Sequence, residues 1–427
     1  MRSPFLLALP AFVALAQQPI LAAEKKPDTP AEAVKPSPEI PAPMVSVTHR
    51  SGTFGGVKVS YTATAKETYL KADDGMPKAS IFSTSYVKDG ADPNRPVTFL
   101  FNGGPGSGSL WLHMGAFGPK RVAIPSDARD DGAPPYPIAD NPESLLDVTD
   151  LVFIDPVGTG FSHALGKTEA KDYWGVTADA KSVAQFIRIW LRDNNRWNAP
   201  KFLGGESYGT TRSAAVVNEL EGNYNDVALN GVILISTILD FGAQAEVEGN
   251  EMVYVVALPS MAATAWYHDK VADRPASLEE FVAQARTFAA GDYLAALLKG
   301  NALGDTERAS VRQRLARFTG LSEAYLDKAN LRIFPGRFYK ELLRDRGLTV
   351  GRLDTRYTGK DLDSAGEQPD NEDEEEAHWR FRQVALSSNT PSCMDGPLSA
   401  RTFLVSRQAI GERSCIRPRD AAIDRGP

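Results

Sequence analysis

Cysteine is nearly absent. The 427 residues hold 2, Cys393 and Cys415, and residues 1–392 contain none. That excludes a fold stapled by disulfides, and a chain of this length can bury a core large enough to need none. The spacing leaves a Cys393–Cys415 bridge open without arguing for it. Histidine is scarce too, with 5 in the chain, and histidine is the commonest general base. Excess positive charge is also lacking. The net charge of −7 argues against non-specific nucleic-acid binding, which depends on a basic surface. Beyond the N-terminus no stretch is apolar for long enough to cross ~30 Å of hydrocarbon. No repeat occurs at solenoid or propeller spacing.

The N-terminus does carry a signal. Arg2 precedes an apolar run from Phe5 to Leu15, which Pro10 interrupts. Small residues follow, at Ala14-Leu15-Ala16 and again at Ala22-Ala23. The run is too short for a membrane anchor, so residues 1–23 read as a secretory signal peptide. The expected location is periplasmic or extracellular. Residues 24–46, rich in Pro, Ala, Lys and Glu, read as an extended linker. Residues 47–370 read as one α/β domain, and 42% hydrophobic with 24% charged residues suits a globular chain. An acidic run, Asn371 to Glu376, opens the final segment, and the strand and helix periods stop there. Residues 371–427 read as an atypical, disordered tail, or as a chain cut short or shifted out of frame after about residue 370.

Three short runs bounded by turn residues predict buried strands: Val97 to Phe101, Leu151 to Ile154 and Val232 to Ile235. Alternating patterns over 57–63 and 80–87 predict further strands. Between them, residues 178–192 place Val183, Phe186, Ile187, Trp190 and Leu191 on one helical face. A strand at 201–204 and a helix at 210–220 follow. Strands alternating with helices predict a central, mostly parallel sheet covered on both faces. Residues 278–298 and 306–318 carry helical apolar spacing. They predict a helical insertion over about 245–330.

The chemistry gathers at three motifs. Gly205-Glu206-Ser207-Tyr208-Gly209 matches G-x-S-x-G. In that pattern a serine nucleophile sits on a sharp strand-to-helix turn, and the glycines let neighbouring backbone approach. Asn102-Gly103-Gly104-Pro105-Gly106 follows the strand at 97–101. Backbone amides of Gly104 and Tyr208 would then form an oxyanion hole. Asp155 to Ser162 is a tight loop at the carboxyl end of a strand, where open α/β sheets bind ligands.

NGGPGSGS, DPVGTGFS and GGESYG, in this order, resemble the serine carboxypeptidases over roughly residues 50 to 365. The resemblance implies an α/β-hydrolase fold and an exopeptidase working through an acyl-enzyme on Ser207. It assigns Gly104 and Tyr208 to the oxyanion hole, and Asn102 and Glu206 to the C-terminal carboxylate of a peptide substrate. It calls for no cofactor and no metal. Glu206 can donate to a carboxylate only when protonated, and two carboxyl groups in contact raise one pKa, so acidic conditions should favour activity. Two positions depart from the family: Ser107 stands where Cys is frequent, and Phe101 where Trp is common.

The base is the gap. The fold orders its triad Ser, Asp, His along the chain, and only His268 and His378 follow Ser207. His268 falls inside the predicted insertion, too early. His378 lies beyond the acidic run. Neither stands in the Gly-His context of the family. His49, His113 and His163 come before Ser207. Besides a carboxypeptidase, two alternatives stay open. One is an inactive, truncated relative; the other is a different serine hydrolase, an esterase or acyltransferase, which would have no use for the Asn102–Glu206 pair.

Overall fold

The structure, a computed structural model, describes residues 40–369 apart from 125, 129–134, 223–226 and 243–244. The segment read as a signal peptide, most of the expected linker, His378, Cys393 and Cys415 lie outside the described residues. The strands are β1 (Val45–Phe54), β2 (Val57–Lys71), β3 (Pro77–Lys88), β4 (Val97–Phe101), β5 (Lys120–Val122), β6 (Ile138–Asp140), β7 (Asp150–Ile154), β8 (His163–Ala164), β9 (Lys201–Glu206) and β10 (Gly231–Ile235). Eight of these form one sheet in the order β1-β2-β3-β7-β4-β9-β10, with β8 beside β3.

The sheet is mixed. β7, β4, β9 and β10 run parallel, whereas β1, β2, β3 and β8 pair antiparallel. The expected mostly parallel sheet therefore describes only the half that carries the site. Loop length is the reason: β1, β2 and β3 follow one another through tight turns such as Gly55-Gly56, and a tight turn can only join antiparallel strands. The parallel strands are joined by helical crossovers.

Those crossovers are α1 (Leu110–Leu112) with a π-helical turn at His113–Phe117, α2 (Val176–Asp193) and α3 (Tyr208–Glu221). The alternation of β4 and β7 buries both faces of the sheet. Phe99, Phe101, Val152 and Ile154 meet Val183, Phe186 and Ile187 of α2 and Val216 and Leu220 of α3. Leu100, Leu151 and Phe153 point the other way, against Phe54, Tyr61, Tyr86 and Leu112. The helical residues after β10 are α4 (Met252–Tyr267), α5 (Leu278–Phe288), α6 (Leu294–Lys299), α7 (Asp305–Thr319), α8 (Glu323–Lys328) and α9 (Pro335–Glu341). They share a separate core that includes Met261, Phe281, Phe288, Leu315 and Phe338. A hairpin, β11 (Leu348–Val350) with β12 (Thr358–Lys360), closes the described chain.

Among the described residues β10 pairs on one side only, with β9. Val232 and Leu234, in register with Leu203 and Gly205, remain 42% and 41% exposed on the face that α2 and α3 cover elsewhere. An uncharged edge strand of this kind is a bare hydrogen-bonding ladder.

Candidate active site

Ser207 stands between the end of β9 and the start of α3. Its φ of 56° and ψ of −126° lie where L side chains are strained. Packing holds it there. The Ser207 amide donates to the Ile235 carbonyl at 2.9 Å. Thr210 donates from Oγ1 to the Ser207 carbonyl at 2.7 Å and accepts from the Ile238 amide at 2.8 Å, tying the elbow to the chain leaving β10. A Cβ on Gly205 would strike the Gly209 carbonyl at 2.1 Å, and one on Gly209 would sit 2.9 Å from the Phe101 carbonyl. The two flanking glycines are therefore required by contact, as the motif implied.

The loop after β4 lies directly against this elbow. A Cβ on Gly103 would stand 2.5 Å from the Tyr208 nitrogen and 2.6 Å from the Glu206 carbonyl. Gly104 has a φ of +105°. Tyr208 is the first residue of α3, so its amide has no acceptor within the helix. Among the described residues neither the Gly104 nor the Tyr208 amide donates a hydrogen bond. Two free amides beside a serine are what an oxyanion requires.

Asn102 is fully buried, and its orientation is dictated by the backbone. Its Oδ1 accepts from the Leu112 amide at 3.0 Å, so its Nδ2 faces Glu206 and donates to Oε2 at 3.0 Å. The other Glu206 oxygen, Oε1, stays available to a ligand.

A second layer, which the sequence did not reveal, supports these residues. Asp155 accepts from the Ser109 amide at 2.8 Å and the Phe161 amide at 3.5 Å, bridging the loops after β4 and β7. Burial pushes its carboxyl up to about 6. His113, in the π-helical turn, shares a 2.6 Å hydrogen bond with the Tyr86 hydroxyl and stacks on Phe153 at 4.4 Å. Burial holds it down to about 4. The Tyr208 hydroxyl is pushed up to about 12 by burial and by the Asp179 carboxylate beside it.

None of the described histidines serves Ser207. His113 is taken by Tyr86, His49 lies 3.0 Å from Thr62 Oγ1, His163 lies 3.2 Å from the Phe161 carbonyl, and His268 lies 2.6 Å from the Thr355 carbonyl. Among the described residues Ser207 Oγ has no hydrogen-bond partner, and no group of acidic, His or Cys side chains could hold a metal.

The elbow, the facing Gly-rich loop and the carboxamide–carboxylate pair stand together where β4 and β9 end. Residues 61–289, more than half of the chain, match the family described as serine carboxypeptidase. The chain belongs to the serine carboxypeptidase family. It is thus a serine hydrolase by family, with an α/β-hydrolase fold. No curated protein matches it. Solved structures similar to this family member include a putative hydrolase from Agrobacterium vitis, 14% identical over 44% of this chain and 51% of that one, with a TM-score of 0.22. Another is juvenile hormone epoxide hydrolase from the silkworm Bombyx mori, 13% identical over 55% and 46%, with a TM-score of 0.23. A third is a peroxisomal α/β-hydrolase from Saccharomyces cerevisiae, 11% identical over 58% and 62%, with a TM-score of 0.25. The chain spans less than two thirds of each of these relatives, and scores this low carry no argument.

The buried Asp155 and His113 make opposite demands on pH. As pH falls from 6.5 to about 4, the unfolded chain takes up a proton at position 113 that the folded chain refuses, so the fold loses stability. As pH falls from about 6 to 3.8, the folded chain takes up a proton at Asp155 before the unfolded chain does, so the fold gains stability. At about 1.4 kcal/mol per pH unit, each effect is about 3 kcal/mol, and the two nearly cancel. His113→Gln should leave only the second. Relative to wild type, its unfolding free energy in urea is expected to climb by about 3 kcal/mol between pH 7 and pH 4. A difference that stays flat across that range would show that His113 is not held neutral.

Proposed function

We propose that this site hydrolyses the last peptide bond of a peptide with a free C-terminus. The observation that carries the reading is the Asn102–Glu206 contact at 3.0 Å, one residue before the nucleophile. Such a pair suits a ligand carboxylate: Glu206, once protonated, donates through its free oxygen, and burial of Asn102 keeps water from competing. An esterase or acyltransferase has no need of it.

In this reading Ser207 Oγ attacks the terminal peptide carbonyl carbon and gives up its proton to a base. The carbonyl oxygen becomes an oxyanion held by the Gly104 and Tyr208 amides. The C–N bond breaks, the leaving nitrogen takes the proton, and the C-terminal amino acid departs. Water then hydrolyses the acyl-enzyme and restores the serine. Export through the segment 1–23 belongs to the same reading.

Acid dependence follows from the proton that Glu206 must carry. The test uses Ser207→Ala, which cannot turn substrate over, with benzyloxycarbonyl-Phe-Leu as free acid and as C-terminal amide. Calorimetry should show the free acid binding more tightly as pH falls from 7.5 to 4.5, by up to roughly 10-fold per pH unit, since one proton is taken up with it. Adding Glu206→Gln should abolish that pH dependence and leave the amide unaffected. Equal losses on both ligands would remove Glu206 from carboxylate recognition.

A further inference from the structure

Arg212 is a fully buried guanidinium, five residues beyond the nucleophile, that the chemistry above does not use. Its Nε donates to Asp179 Oδ2 of α2 at 2.7 Å, and its Nη1 donates to the Asn102 carbonyl at 2.6 Å. The guanidinium carbon lies 5.3 Å from the Phe101 ring centroid and 5.0 Å from that of Tyr208. Phe101, Asn102 and Tyr208 are the last residue of β4, the carboxylate-binding residue and an oxyanion donor. One side chain therefore touches both the end of the Gly-rich loop's strand, at Phe101 and Asn102, and the elbow, at Tyr208.

We propose that Arg212 is the positioning residue of this site, holding the Asn102 carbonyl and the Tyr208 ring in place so that the Asn102 carboxamide and the Gly104 and Tyr208 amides converge beside Ser207. A buried arginine needs paired charge and filled donors. Asp179 supplies the charge, and a main-chain carbonyl takes the second arm. The Asn102 peptide has its carbonyl fastened by Arg212 and its side chain fastened by the Leu112 amide, so its plane cannot rotate. The next peptides lead to the Gly104 amide. Gly103 and Gly104 have no side chains of their own to anchor them; within the loop the Ser107 amide donates to the Gly103 carbonyl at 3.2 Å, and Arg212 adds a restraint from outside it. The planar fork matters: lysine offers the same charge at one point only.

The carboxylate part of this inference rests on the function proposed above; the restraint on the loop does not. The test is Arg212→Lys in the Ser207→Ala background, with Glu206→Gln beside it. Free-acid and amide forms of benzyloxycarbonyl-Phe-Leu are the probes, and hydrogen–deuterium exchange is read over residues 102–109. Arg212→Lys should cut the preference for acid over amide by about 10-fold while amide affinity holds. Exchange at 102–109 should quicken about 10-fold with β4, β9 and α2 unchanged. A structural role alone would weaken both ligands together and raise exchange throughout. If Glu206→Gln erases the preference while Arg212→Lys leaves it and the exchange intact, the positioning role is wrong and the function stands. If Ser207→Ala by itself shows no preference, the functional reading falls, and exchange at 102–109 alone decides on Arg212. Should the lysine variant not fold, Asp179→Asn loosens the same guanidinium without removing it. It is expected to shift preference and loop exchange in the same direction, by less, and no shift in either would overturn the proposal.

Discussion

The purified 427-residue chain, given a blocked dipeptide with a free C-terminus, is expected to release the terminal amino acid only slowly, and His378→Ala is expected to leave that rate within about 2-fold. Chain order and occupancy both point this way. The fold takes its base from a histidine after the nucleophile. Of the two that follow Ser207, His268 is engaged with the Thr355 carbonyl at 2.6 Å and is half-buried in the helical region, where burial holds it below its ordinary value. His378 stands outside the described residues, in a sequence context unlike the family's. Without a base the Ser207 hydroxyl keeps its proton and attacks poorly. In the proposed reading the Gly104 and Tyr208 amides and the Asn102–Glu206 pair would still act, leaving roughly 10³–10⁴-fold over water. Product release followed by chromatography measures this directly. Full carboxypeptidase turnover, lost in His378→Ala, would mean that the base sits in a place its relatives do not use.

Gly103→Ala is expected to cost about 3 kcal/mol or more. The new Cβ would meet the Tyr208 nitrogen at 2.5 Å, the Glu206 carbonyl at 2.6 Å and the Gly209 nitrogen at 2.9 Å. All three are backbone atoms of a strained turn, so none can swing aside as a flexible side chain would. Either the loop lifts from the elbow or the elbow relaxes, and both separate the Gly104 amide from Ser207. Gly106→Ala is the control. Nothing lies within 4 Å of its Cβ, so only its φ of +112° opposes the methyl, at about 1–2 kcal/mol. Urea unfolding of both variants reads the difference. Equal costs would show that the loop does not press on the elbow.

Some of this architecture was legible because it is local. The runs 97–101, 151–154 and 232–235 are apolar, β-branched or aromatic and closed by turn residues, and they appear as β4, β7 and β10 with ends within one residue. The helix expected over 178–192 appears as α2, because five apolar residues at helical spacing leave one way to bury them. Its true ends lie beyond the pattern, since capping and not hydrophobic period sets where a helix stops. β9 runs on through Gly205 and Glu206, which have little strand preference of their own. Parallel pairing with Leu234 and Ile235 of β10 carries them. β2 likewise runs 15 residues through Lys66 and Glu67, and Glu67, buried within the sheet, accepts from the Met44 amide at 2.9 Å.

The sequence by itself determined where a serine elbow, a glycine loop and an Asp-Pro-Val loop would stand, because each is a short-range demand of sterics on neighbouring residues. It also determined that no histidine after Ser207 sits in a familiar context. The partnerships were decided only by the tertiary structure. Asn102 meets Glu206 across 104 residues, Arg212 meets Asp179 across 33 and Asn102 across 110, and Ser109 meets Asp155 across 46. No periodicity encodes such pairs. They form because parallel strands β4, β7 and β9 end together at one edge of the sheet, and because burying a charge or an amide there is tolerable only when another buried group completes its hydrogen bonds.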